Sequence, residues 1–190
     1  MKDYKIMIVG VGGQGTLKAS KLLGKLFLAH GYDVKVSEVH GMSQRGGSVV
    51  TYVCCGKKAY SPVIDRGEAD IIVSFELLEA ARWVPYLKKG GRILTNVQQI
   101  DPMPVITGAA KYPEEIGKSL AEAGIELDAI DAYGIAERLS SVRSANMVLM
   151  GKLSLSFDFA EEEWLNAVAE TVPEKTIAVN QEAFKAGRNS

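Results

Sequence analysis

The 190-residue chain carries 22 Lys and Arg against 23 Asp and Glu, a formal net charge of −1, with 47% hydrophobic and 24% charged residues. These proportions suit one globular domain with a sizeable core, and the near balance of charge excludes a global field that would draw in nucleic acid or an anionic membrane. No apolar run approaches the length of a bilayer span. Lys5 interrupts the N-terminal apolar stretch before glycines that offer no small-residue cleavage site, so no signal peptide is read and a cytoplasmic location is expected.

Lys5 to Val9 is a short β-branched apolar run ending at Gly10, the pattern of a strand. Ala19, Leu22, Leu23, Leu26 and Phe27 then recur at helical spacing, with Lys18, Lys21 and Lys25 opposite and Gly31 as a C-cap. Val34 to Val39 reads as a second strand, so the chain opens as strand–helix–strand, the start of a parallel sheet. A polar, glycine-rich stretch, HGMSQRGG at 40–47, precedes a β-prone run from Ser48 to Cys55. GKK and a further extended piece, AYSPVI, follow, and a hairpin is expected there with Pro62 on an edge strand. Ala69 to Phe75 is apolar enough for a strand buried on both faces. A helix is expected from Leu77 to Lys88, stopped by Gly90 and Gly91, and a strand from Arg92 to Val97. DPMP at 101–104 breaks the pattern. Pro113 is expected to start a short helix to Ala123, followed by a strand from Ile125 to Ile130 and a helix from Ala132 to Leu139. The remainder reads as helices from Ser144 to Leu155, Ala160 to Thr171 and Glu174 to Ala186. Asp158 and Glu161 are spaced like a cap, and Glu161, Glu162 and Glu163 favour the positive helix end. The expected fold is α/β: a Rossmann-like three-layer arrangement with a mostly parallel sheet, a hairpin and a helical C-terminal extension, forming one domain over residues 1–190.

Residues 10–15, GVGGQG, have Gly-x-Gly-x-x-Gly spacing between the first strand and helix. Free backbone N–H groups at a helix start carry partial positive charge and suit a phosphate. Gly10 permits the turn, Gly12 lets a ligand approach the backbone, Gly15 permits close helix–sheet packing, and Gly13 loosens the loop further. A nicotinamide site also needs an acidic residue about 20 positions on. Glu38, near the end of the second strand, is the candidate. The alternative is a tight turn that binds nothing.

In HGMSQRGG, Gly41, Gly46 and Gly47 allow unusual backbone angles. Ser43, Gln44 and Arg45 set a hydroxyl, an amide and a guanidinium side by side. Loops after the carboxyl ends of strands line the crevice of an open α/β sheet. The two loops are therefore expected on one edge, unless the second is a surface loop with a solvated arginine. His30 and His40 are the only histidines. His30, at a helix end, reads as a surface or capping residue, and His40 has no paired nucleophile or acid to make it a catalyst. Thiamine diphosphate, H-E-x-x-H, G-x-S-x-G and P-loop lysine motifs are all absent. Cys54 and Cys55 are adjacent, so a strand turns them to opposite faces and they suit neither a disulfide nor a chelate. Two thiols cannot complete a four-cysteine cluster, and they read as small buried apolar residues. No catalytic and no metal-binding residue is identified.

GVGGQG followed by SEVHGMSQRGGSVV resembles the gamma-type domain of the 2-oxoacid:ferredoxin oxidoreductases, and the form EVHGMSQRGG its indolepyruvate branch. ADIIVSFELLEAARWVPYLKKGGRILTN resembles the family's central strand–helix–strand, SANMVLMG its asparagine-bearing helix and NQEAFKAG its closing helix. The resemblance implies a subunit, not catalytic alone, of an enzyme that oxidatively decarboxylates a 2-oxo acid, passes the acyl group to coenzyme A and sends electrons to ferredoxin. It implies that thiamine diphosphate and iron–sulfur clusters sit on a large alpha subunit and that coenzyme A is the ligand nearest this chain. Gly10, Gly12, Gly13, Gln14 and Gly15 would form one side of the crevice, with Ser43, Gln44, Arg45 and Gly46 facing them. Asn146 matches the helix asparagine, with no role assigned. A homodimer of the isolated chain stays open, as do a stand-alone NAD(P)-dependent dehydrogenase and an interaction module without redox role.

Overall fold

The computed structural model describes residues 2–38 and 46–190. Period-two alternation builds the centre of its sheet. In β1 (Tyr4–Val11), Ile6 and Ile8 enter the core on one face and Met7 and Val9 the core on the other. β3 (Ser48–Gly56) does the same, with Val53 and Cys55 on the first face and Val50 and Cys54 on the second. The two cysteines thus point apart as the sequence implies, both are buried and free, and burial pushes the Cys55 thiol up to about 12.

Six strands lie in the order β2-β3-β1-β4-β5-β6, where β2 is Asp33–Glu38, β4 Ala69–Ser74, β5 Leu87–Asn96 and β6 Glu126–Ile130. β1, β4, β5 and β6 are parallel neighbours, while β3 runs antiparallel to both β1 and β2. The hairpin is therefore β2 with β3, and β3 is inserted between the two strands that the sequence pattern set side by side. AYSPVI forms no strand, which corrects the expected hairpin and edge position of Pro62. Pro62 has no N–H to offer a ladder. The segment instead crosses the second face of the sheet, where its carbonyl accepts from Cys54 Sγ at 3.4 Å and Ile64 is buried.

The helix expected to reach Lys88 ends earlier. α2 (Leu77–Trp83) runs into a 3₁₀ turn at Val84–Tyr86 that contains Pro85, and Leu87 already pairs with Ala69. Gly90 and Gly91 lie inside β5, beside a register irregularity between Ala69 and Ile71. Gly90 has φ 76, and a Cβ on Gly91 would lie 2.9 Å from the Ala69 carbonyl oxygen. They shape a bulge and do not stop a helix. DPMP ends the extended chain as expected but also opens a short α3 (Met103–Ile106). α4 (Ile116–Glu122) starts after Glu115 at φ 55, later than Pro113 would place it.

α1 (Thr16–Ala29), α5 (Ala132–Arg138), α6 (Ala145–Ser154), α7 (Glu161–Ala169) and α8 (Ile177–Arg188) cover the first face. The C-terminal helices are thus no appendage; they complete the main core. Phe27 packs against Tyr4, Tyr32, Phe157 and Phe159, and Trp164 stacks on Phe184. α6 and α8 touch backbone to backbone: a Cβ on Gly151 would meet the Phe184 carbonyl oxygen at 1.9 Å, and one on Gly187 that of Val148 at 1.9 Å. α7 is capped at Ala160, whose N–H donates to Glu163 Oε2 at 2.8 Å; Asp158 lies two residues before the cap, which corrects its expected role. The first-turn glutamates sit where the helix dipole favours them. The second face is covered by α2, α4 and residues 57–68, around Met7, Val9, Ile72 and Ile93.

Candidate functional site

At the carboxyl end of β1 the chain turns into α1 through GVGGQG. A Cβ on Gly10 would lie 2.7 Å from Gln14 Oε1 and 2.9 Å from Phe75 Cβ, so only glycine lets the turn close here. Gly13 and Gly15 have φ 102 and 89. A Cβ on Gly15 would lie 2.6 Å from Asn146 Nδ2, so the first turn of α6 packs directly on the loop. The Gly12 N–H donates to the Gly47 carbonyl at 2.9 Å. This bond brings the described end of the second loop, Gly46 and Gly47, to the edge that carries GVGGQG. Gly46 is exposed with φ 98. Ser43, Gln44 and Arg45, like His40, lie outside the described residues.

The Gln14 side chain is engaged at both ends. Its Oε1 accepts from the Val11 N–H at 2.7 Å, and its Nε2 donates to the Phe75 carbonyl at 2.9 Å and to Gln98 Oε1 at 3.2 Å. It spans the point where the strand order reverses, from the end of β1 to the ends of β4 and β5. Asn96 works beside it: its Nδ2 donates to the Phe75 carbonyl at 3.3 Å and its Oδ1 accepts from the Ala132 N–H at 3.0 Å. Two buried carboxylates hold the same edge. Glu76 accepts from the N–H groups of Glu79 and Ile100 and from the Tyr112 hydroxyl. Burial, with the Glu76 carboxylate next, pushes that hydroxyl well above the usual tyrosine range. Glu79 accepts from Ser48, Arg82 and Trp83. Sequence reasoning passed over Glu76, Glu79 and Asn96. Their signal was an acid and an amide closing two otherwise apolar strands, SFELLE and ILTN.

Two clefts flank the turn. The first, about 410 Å³, lies against β3 and is lined by Gly12, Thr16, Lys21, Val49 and Thr51. The second, about 400 Å³, lies toward β5 and α6 and is lined by Gln14, Gln98, Tyr133, Arg143 and Asn146. Gly13, Gly15 and Lys18 border both. Lys18, Lys21 and Arg143 are exposed, and none forms an ion pair with another described residue. With the backbone N–H groups of the turn, they suit an anion. Asn146 is 2% exposed; its Nδ2 donates to the Gly15 carbonyl at 3.5 Å, and its Oδ1 has no partner among the described residues. An orphaned buried acceptor costs about 1–3 kcal/mol.

Glu38 opens elsewhere. It lines a groove along the outer side of α1, where its Oε1 accepts from Ser20 Oγ at 3.0 Å. Because β3 stands between β1 and β2, the end of β2 is two strand spacings, about 9–10 Å, from the glycine turn. A carboxylate there is a strand too far away to take the ribose of a dinucleotide bound in the usual way. His30 caps α1, stacks on Phe159 and lies 3.3 Å from Glu163, as a surface or capping residue should. Among the described residues no group of three or more His, Cys, Asp or Glu could hold a metal ion, and no helix is long and apolar enough to cross a membrane.

Residues 5–190 match the pyruvate ferredoxin/flavodoxin oxidoreductase family. The chain is 46% identical to the indolepyruvate oxidoreductase subunit IorB of Thermococcus kodakarensis, with 98% of this chain and 95% of the relative aligned. It is 44% identical, over the same shares, to the subunit of that name from Pyrococcus horikoshii. Among solved structures the fold matches the gamma subunit of a keto/oxoacid ferredoxin oxidoreductase from Geobacter sulfurreducens, with TM-score 0.70, 20% identity and coverage of 98% of this chain and 96% of that one. It also matches 31% of a chain of the 2-oxoglutarate:ferredoxin oxidoreductase from Magnetococcus marinus, a complex with 2-oxoglutarate, coenzyme A and succinyl-CoA, with TM-score 0.74, 22% identity and 100% of this chain covered.

Proposed function

Since the chain belongs to the pyruvate ferredoxin/flavodoxin oxidoreductase family, we propose that it works as the small subunit of an indolepyruvate-type 2-oxoacid:ferredoxin oxidoreductase. The enzyme converts an aryl 2-oxo acid and coenzyme A to carbon dioxide and acyl-CoA and delivers two electrons to ferredoxin. The subunit is not catalytic alone. Thiamine diphosphate and the iron–sulfur clusters belong to a large alpha subunit, the chain binds coenzyme A on that subunit's behalf, and residues 1–190 act as one gamma-type domain in the cytoplasm. Gly10, Gly12, Gly13, Gln14 and Gly15 form one wall of the coenzyme A crevice, with Gln14 shaping the turn and the backbone N–H groups meeting phosphate. Ser43, Gln44, Arg45 and Gly46 form the facing wall. The isolated chain pairs with a second copy through the face that otherwise meets the alpha subunit.

One observation carries the reading: a glycine turn with open space at Gly13, bordered by the cations Lys18 and Lys21, neither of which forms an ion pair with another described residue. Phosphates fit that setting, and coenzyme A supplies them without requiring a carboxylate at the ribose. The test is reconstitution. The chain alone should bind coenzyme A by calorimetry yet leave indolepyruvate unoxidised, and coenzyme A-dependent reduction of ferredoxin should appear on adding the alpha subunit. Robust oxidation by the chain alone would overturn the proposal, as would micromolar binding of NADH or NADPH by fluorescence titration. Arg45→Ala should impair the assembled enzyme while leaving the far-ultraviolet circular dichroism of the subunit unchanged.

A further inference from the structure

Around the glycine turn, one fully buried side-chain polar atom of the described residues lacks a hydrogen-bond partner. Gln14 and Asn96 have both ends of their amides bonded, and the Glu76 and Glu79 carboxylates are surrounded by donors. Asn146 Oδ1 has no partner among the described residues. Its orientation follows from its neighbour: Nδ2 faces the Gly15 carbonyl, and reversing the amide would set two acceptors against each other. Native folds rarely leave a buried acceptor empty, and the residue that carries this one borders a cleft that also holds Lys18 and Arg143. The same cleft offers the complementary group. Gln98 Oε1 is taken up by Gln14 and Asn96, while its Nε2 donates to none of the described residues. One free acceptor and one free amide donor, next to cations, match a secondary amide attached to a phosphate.

Resting on the coenzyme A reading above, we infer that Asn146 is the specificity-determining residue of the second cleft: its Oδ1 accepts the N–H of an amide in the pantetheine arm while Lys18, Arg143 and the glycine turn hold the phosphates. The phosphates sit where Gly13, Gly15 and Lys18 border both clefts, and the two ends of the ligand diverge from there. The first cleft, walled by Val49 and Leu17, suits the flat base. The second, with its amides, takes the arm.

Calorimetry on the full-length chain tests this with coenzyme A, 4′-phosphopantetheine, 3′,5′-ADP and two ester analogues of phosphopantetheine, each with one amide N–H replaced by oxygen. Asn146→Leu should weaken coenzyme A and phosphopantetheine roughly tenfold, the loss of about one hydrogen bond, and leave 3′,5′-ADP unchanged. One ester analogue should bind the wild type roughly tenfold more weakly than its parent, and N146L should not distinguish the two. Equal weakening of all ligands by N146L, or an equal loss for the ester on N146L and wild type, would overturn the inference and leave Asn146 a packing residue for Gly15. Coenzyme A binding by the wild type with no effect of N146L would remove the inference alone. No coenzyme A binding by the wild type would remove it together with the function proposed above. If N146L does not fold, the ester series on the wild type decides: two analogues that bind as the parent does refute the amide contact.

Discussion

Gln14 and Asn146 are two amides on either side of one glycine turn, and they are used in opposite ways. Gln14 reaches across the sheet edge and exhausts both ends of its amide on Val11, Phe75 and Gln98. Asn146 is more deeply buried, makes one long bond to Gly15 and keeps its oxygen unmatched. The pair shows that burial and residue type do not set a role. A satisfied amide fastens elements together, whereas an unsatisfied one is tolerated because the backbone around it is held from elsewhere. For Asn146 that backing is the contact of α6 on α8 through Gly151 and Gly187.

The largest effect is expected from breaking that backing. Gly151→Val forces a side chain into a gap where a Cβ would already lie 1.9 Å from the Phe184 carbonyl oxygen. Stability should fall by about 4 kcal/mol or more, read from chemical denaturation. Next is Gly15→Ala, which adds a Cβ at φ 89 and 2.6 Å from Asn146 Nδ2. About 1–2 kcal/mol should come from the backbone, with a comparable addition from the clash. The double variant Gly15→Ala, Asn146→Ala should recover the clash but not the backbone cost, and full recovery would show that the left-handed conformation is not required.

Gln14→Leu and Asn146→Leu test the comparison itself. Gln14→Leu strands the Val11 N–H and should cost about 2–3 kcal/mol in the free protein. Asn146→Leu removes an acceptor that is already unmatched, so its effect should stay within about 1 kcal/mol. Equal losses would mean that the two amides are both structural. The smallest effect concerns the cysteines, away from the turn. A thiolate is the reactive form, and burial holds Cys55 neutral until about pH 12. Iodoacetamide labelling of Cys55 in the folded chain should therefore stay negligible and flat from pH 7 to roughly 9 and become rapid in denaturant. Labelling that climbs with pH in the native state would mean that β3 opens.

Much of the architecture was legible because it depends on local periodicity. The β1–α1 turn, the all-apolar β4 and the three closing helices follow from spacing that a single segment carries. The membership implied by EVHGMSQRGG is matched by relatives 46% and 44% identical over nearly the whole chain. The misreadings share a cause. The hairpin partner of residues 48–55, the end of α2 and the role of Gly90 and Gly91 all depend on which distant segment lies alongside, and Pro62 and Pro85 act through that context.

The sequence by itself determined the glycine turn, the alternation that sends Cys54 and Cys55 to opposite faces, and the branch of the family, since each is written in neighbouring residues. Only the tertiary structure decided that β3 slips between β1 and β2, that Gln14 closes the edge and that the buried Asn146 oxygen has no partner among the described residues. The bonds by which Gln14 closes the edge to Phe75 and Gln98, and by which Asn146 meets Gly15, join partners 61 to 131 residues apart, and no local pattern records whether such a partner arrives.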